Sequence, residues 1–170
     1  MTGARVRLPL AVLAVLVLQT SVLTAVDIDD VRPDSLLLLA VATGLVTGPE
    51  GGALMGFAVG MVADLFVQTP LGLSALTFSL VGFTVGSLQN SMLRTSRWIA
   101  PVTALFASAA GVVLFAVAGA VVGQSQLVNP RLPEIAALVA VMNAVLALPA
   151  VALVRWALRG GGSAERAYAR

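Results

Sequence analysis

Residues 48–64 read Gly48-Pro49-Glu50-Gly51-Gly52-Ala53-Leu54-Met55-Gly56-Phe57-Ala58-Val59-Gly60-Met61-Val62-Ala63-Asp64, and their spacing decides the fold. Gly48, Gly52, Gly56, Gly60 and Asp64 recur at strict i, i+4 intervals. On a helix that spacing lays four glycines and a carboxylate along one face. A helix in water would not carry so many glycines, each costing about 1 kcal/mol relative to Ala. In a bilayer, small residues at this interval let a second backbone approach closely, and that packing drives helix association. The stretch therefore predicts a membrane helix with a packing seam that ends in one ionisable group.

Working outward, the whole chain fits that setting. Of its 170 residues, 59% are hydrophobic and 11% charged, with a mean hydropathy of +1.00. A soluble domain of this size has too little interior to bury so much apolar side chain. Cysteine and histidine are both absent. Their absence rules out disulfides, thiolate chemistry, a Ser-His-Asp triad and histidine metal ligation. No ordered base and nucleophile set is visible among the remaining Ser, Thr, Asp and Glu, which argues against an enzyme.

Six hydrophobic stretches lie between polar punctuation: about 8–26, 34–47, 52–67, 73–88, 98–122 and 134–158. The second is short for a full span, since crossing the hydrocarbon takes about 20 helical residues. Tilted, re-entrant or protein-covered segments are therefore expected. The first stretch follows Arg5 and Arg7 but lacks a small-residue cleavage site, so it reads as an uncleaved helix. Pro101 sits near the start of the fifth stretch, where a helix tolerates it. Pro149 falls inside the sixth and should kink it.

These segments predict an all-α integral membrane protein, a six-helix bundle over residues 1–158 with a flexible basic tail at 159–170. All ten basic residues are arginines. With both termini inside, Arg5, Arg7, Arg94, Arg97, Arg155, Arg159, Arg166 and Arg170 are cytoplasmic, and only Arg32 and Arg131 lie outside. The positive-inside rule thus gives a multi-pass protein of the cell membrane with N-in and C-in topology. The loop between the second and third helices carries Glu50 and no arginine. The tail arginines are suited to anionic lipid headgroups or to a cytoplasmic partner, but topology alone accounts for them. The run Asp27-Ile28-Asp29-Asp30 lacks the alternation and glycine of a calcium loop and reads as a solvated exterior loop.

Gly52, Gly56, Gly60 and Asp64 form the candidate face, either for packing within the bundle or for docking a second membrane protein. Gly82 with Gly86, and Ala107 with Gly111, repeat the four-residue interval. In the sixth stretch, Asn143 lies beside Ala136, Ala140 and Ala144 and is placed to hydrogen-bond across helices. Asp64 is the one carboxylate deep in an apolar run. It reads as a proton or ion relay or a polar contact to a partner, or else as a structural hydrogen bond to a neighbouring helix, with Gln19, Thr20, Thr77 and Asn143 as candidates.

A family resemblance rests on three motifs. Arg32-Pro33-Asp34 opens a leucine run. Residues 51–65 form a glycine-rich helix ending in Gly60-x-x-x-Asp64. Pro70-Leu71-Gly72-Leu73-Ser74 follows as a turn. Together with Asn143 and Pro149 in the last stretch, these resemble the MreD family of rod shape-determining proteins across nearly the whole chain. The resemblance implies a non-enzymatic component of the bacterial cell-elongation machinery that directs side-wall peptidoglycan synthesis. It implies MreC as a partner, with RodA, a class B penicillin-binding protein and MreB in a larger complex, and neither cofactor nor nucleic acid. It also implies a fold similar to the six-helix substrate-binding subunits of energy-coupling-factor transporters. The competing reading is such a vitamin-binding subunit itself. Against it, Ala11, Ala14 and Ala25 in the first stretch include no pair four apart. The few aromatic and polar side chains also offer little for a ligand pocket.

Overall fold

A computed structural model describes residues 10, 12, 14–15, 33–66, 70–89 and 98–158. Its helices are α1 (Ser35–Thr47), α2 (Pro49–Phe66), α3 (Leu73–Gln89), α4 (Ile99–Val121) and α5 (Leu132–Leu158), with a 3-10 turn at Ser125–Leu127. Five of the six expected stretches thus appear as helices. Of the first, only Leu10, Val12, Ala14 and Val15 are described; all four are helical, and Val15 joins the buried core. The terminal arginines, the acidic run 27–30, Arg94 and Arg97, and the tail 159–170 lie outside the described residues.

The local sequence explains where the helices start and stop. Asp34 N-caps α1, its Oδ1 accepting the Leu37 N–H at 2.9 Å. Gly48 alone joins α1 to α2. Its φ of 91° lies in the left-handed region that glycine occupies without strain, and Pro49 then opens the next helix. The third expected stretch therefore begins three residues early. Glu50, read as a loop residue, lies instead in the first turn of α2, where its charge suits the helix dipole.

The helices fall into two length classes. At 1.5 Å per residue, α1, α2 and α3 measure about 20, 27 and 26 Å, whereas α4 and α5 reach about 35 and 40 Å. Among the described residues, only α4 and α5 are both long and apolar enough to cross a membrane unaided. Around the bundle, Leu54, Phe106, Val121 and Val145 point outward, Val145 with 74% of its surface exposed. An apolar exterior of this kind is matched by lipid. Inside, Leu36 through Ala42 of α1 are all buried, so the shortest helix is wrapped by the others and forms the centre of the core. That burial explains a leucine run with no polar face.

Pro149 lies within α5 without ending it. Proline has no N–H for the Val145 carbonyl, but Val145 is on the outward face, so the missing bond falls away from the core.

Candidate functional site

The glycine ladder of α2 runs antiparallel against α3. A Cβ added at Gly52 would meet the backbone of Gly82, one at Gly56 the carbonyl of Phe78, and one at Gly60 the backbone of Ala75. Gly44 of α1 joins the same contact: a Cβ there would lie 2.5 Å from the Gly82 carbonyl oxygen, and one on Gly52 would lie 2.8 Å from the Gly44 Cα. Three backbones therefore converge at Gly44, Gly52 and Gly82, and Gly86 extends the seam to the Gly48 turn. Backbone-to-backbone contact leaves no flexible side chain to move aside.

Asp64 stands where this seam ends. Its side chain, 3% exposed, accepts three backbone N–H groups at the start of α3. Gly72 donates to Oδ2 at 2.7 Å, Ala75 to Oδ2 at 3.4 Å and Ser74 to Oδ1 at 3.0 Å. Both carboxylate oxygens are thus engaged by donors that would otherwise be unsatisfied at a helix start. Neither Thr77 nor Asn143 bonds to Asp64: Thr77 donates to the Leu73 carbonyl, and Asn143 serves a different node. Gln19 and Thr20 lie outside the described residues.

Asn143, fully buried on α5, donates through Nδ2 to the Asp34 carbonyl at 3.1 Å and to Ser108 Oγ on α4 at 2.9 Å. Three helices meet at this amide. Asn143 lies about 16 Å along α5 from Leu132, and Ser108 about 14 Å along α4 from Ile99, so the node sits near mid-height of both long helices. Hence α1 starts halfway across the bundle and runs only to the end marked by Gly48, Trp98 and Arg155. The short second stretch is a half-length helix. Two atoms at the node have no hydrogen-bond partner among the described residues, Asn143 Oδ1 and Ser35 Oγ.

Beside the node is a largely apolar cavity of about 220 Å³, with Asp34, Ser74, Phe78 and Phe115 in its walls. Asp34 was read from sequence only as the opening of the leucine run. Its signal was the Pro33-Asp34-Ser35 cap before an apolar stretch too short to span. Among the described residues no three carboxylate, His or Cys groups converge as a metal site. The residues singled out from sequence therefore separate into two places. Gly52, Gly56, Gly60 and Asp64 lie on the α2–α3 contact, and Asn143 lies on the α1–α4–α5 node.

Compared with known protein families, the chain matches the model for rod shape-determining protein MreD over residues 2–157. Neither a curated protein nor a solved structure matches it.

Proposed function

The chain belongs to the MreD family of rod shape-determining proteins, and on that premise we propose that it is a non-enzymatic membrane subunit of the cell-elongation complex. In this reading it binds MreC and helps direct side-wall peptidoglycan synthesis, with RodA, a class B penicillin-binding protein and MreB in the wider assembly. It sits in the cell membrane as a six-helix bundle, N-in and C-in, similar in fold to the substrate-binding subunits of energy-coupling-factor transporters. The observation that carries the proposal is the family match over nearly the whole chain.

The chemistry of the chain supports a scaffold. Its buried Asn143 hydrogen-bonds α5 to α4 and to the start of α1, and its buried carboxylate Asp64 is committed to three N–H groups at the start of α3. A backbone-packed bundle of this kind holds its outer faces in fixed relation, as a lateral adaptor requires. The glycine face is then internal to the subunit, and partner contacts fall on other surfaces. Against the vitamin-binding alternative, the cavity beside Asp34 is below the about 300–1,000 Å³ usual for ligand pockets, and the larger hollow of about 420 Å³ between α3 and α4 is lined by apolar side chains with Thr84 and Thr103 as its polar residues.

Complementation tests this reading. In a rod-shaped bacterium depleted of its own family member, expression of this chain with its cognate MreC should restore rods. Persistent rounding, with the chain stably inserted in the membrane, would refute it.

A further inference from the structure

The cavity beside the mid-height node has one charged group in its wall and nothing described to balance it. Asp34 Oδ1 takes the Leu37 N–H. Among the described residues the carboxylate makes no ion pair. The cations there are Arg155, twelve residues from Asn143 along α5 and so about 18 Å from it, and Arg131, which lies just before the start of α5. Arg131 pairs instead with Glu134, at 3.5 Å.

The positive end of α3 does not balance Asp34 either. Ser74 stands in the cavity wall at that helix start, but the N–H groups of Gly72, Ser74 and Ala75 are already taken by Asp64. Among the described residues, what remains is the partial charge of α1's own N-terminus, about half a unit. A carboxylate facing an apolar space, with no full counter-charge among the described residues, favours a cation beside it.

The rest of the wall defines what kind of cation. Phe78, from α3, and Phe115, from α4, supply aromatic surface, which attracts ammonium groups and packs against methylenes. Ala63 and Val112 complete an apolar surround, and the buried Ser74 adds a hydroxyl. A volume of about 220 Å³ is too small for a drug-sized ligand. A hydrated metal ion would find one carboxylate where it needs several oxygen ligands.

We propose that this cavity binds a small organic ammonium ion, its charge held by the Asp34 carboxylate and its short apolar stem lying against Phe78 and Phe115. Asp34 is then both the cap that starts α1 and the anchor of a ligand, which ties occupancy to the packing of the central helix. The seam residues and Asp64 take no part in binding.

The test uses the full chain in lipid nanodiscs, with n-butylammonium as probe, n-butanol as its neutral counterpart and potassium as a simple cation. Butylammonium should raise the Tm saturably and give a measurable heat of binding, whereas butanol and potassium at equal concentration should not. Asp34→Asn keeps an N-cap side chain and should weaken butylammonium binding by about tenfold or more. Val112→Phe fills the cavity while leaving Asp34 in place, so it should abolish the shift. If Asp34→Asn does not fold, Val112→Phe decides alone. No butylammonium shift in the wild type, an equal shift from butanol, or undiminished binding by Val112→Phe would overturn the proposal.

Discussion

The carboxylate of Asp64 receives the backbone N–H of Ser74 at 3.0 Å, which ties the last turn of α2 to the first turn of α3. Gly72 completes the clasp through the other oxygen at 2.7 Å, with its own φ of 98° in the left-handed region. The residue that ends the glycine seam therefore also caps the helix the seam packs against. From the sequence it stood between a relay and a polar contact; its bonds in the structure are those of a cap.

This geometry sets an order for substitutions at Asp64. Asparagine retains one acceptor oxygen but turns an NH₂ group toward backbone donors, so Asp64→Asn should lose about 1–2 kcal/mol of stability. Asp64→Leu strands three N–H groups and should lose more, about 3 kcal/mol or above. Equilibrium unfolding in detergent micelles reads both. Wild-type stability for Asp64→Asn would show that the cap needs only one oxygen.

The seam makes a sharper claim. Gly52→Ala adds a single methyl group, yet it would press on the Gly82 backbone and on Gly44. Overpacking usually costs about 1–3 kcal/mol, and with no side chain to yield, Gly52→Ala should fall at the upper end. Gly56→Leu and Gly60→Leu should prevent stable insertion. On the opposite side of the same helix, Leu54 is 73% exposed, and Leu54→Ala should stay within about 0.5 kcal/mol of wild type. Similar losses at Gly52 and Leu54 would contradict this packing.

At the other polar site, Asn143→Leu should cost about 1–2 kcal/mol, the upper part of the range for hydrogen bonds between membrane helices. Ser108→Ala removes one of its two partners and should cost less. In a double-mutant cycle the two should couple by about 0.5 kcal/mol or more. Strict additivity would mean that the Asn143 amide owes its place to the Asp34 carbonyl alone.

Pro149→Ala restores a donor for the outward-facing Val145 carbonyl, so thermal stability should be unchanged or slightly raised. A loss of rod-shape complementation without loss of stability would show that the local α5 geometry at Pro149 serves a partner.

Much of this arrangement could be read in the sequence, because the period of small residues is itself a geometric statement. Four glycines at i, i+4 within a long apolar stretch lie along one face of a helix, and in lipid such a line invites a backbone. The identity of that backbone could not be read, since Phe78 and Ala75 contribute main-chain atoms that no side-chain pattern advertises. The partners of Asp64 escaped for the same reason: they are amide hydrogens of Gly72, Ser74 and Ala75. Asp34 was legible as the opening of the leucine run but not as a mid-height group. Its depth follows from contact with Asn143, 109 residues away in sequence, and no local pattern records depth. The helix boundary at Pro49 was legible in principle, because a glycine followed by proline is a common place for one helix to stop and another to start.

Affinity recovery of the tagged chain from its native membrane, with bound proteins identified by mass spectrometry, tests the central claim most directly. Membership in the elongation complex predicts that MreC is recovered together with the side-wall synthases, and is lost with Gly52→Ala, which disturbs the bundle. Recovery of an ATPase pair with a coupling subunit, and no MreC, would contradict the account and assign the chain to solute uptake.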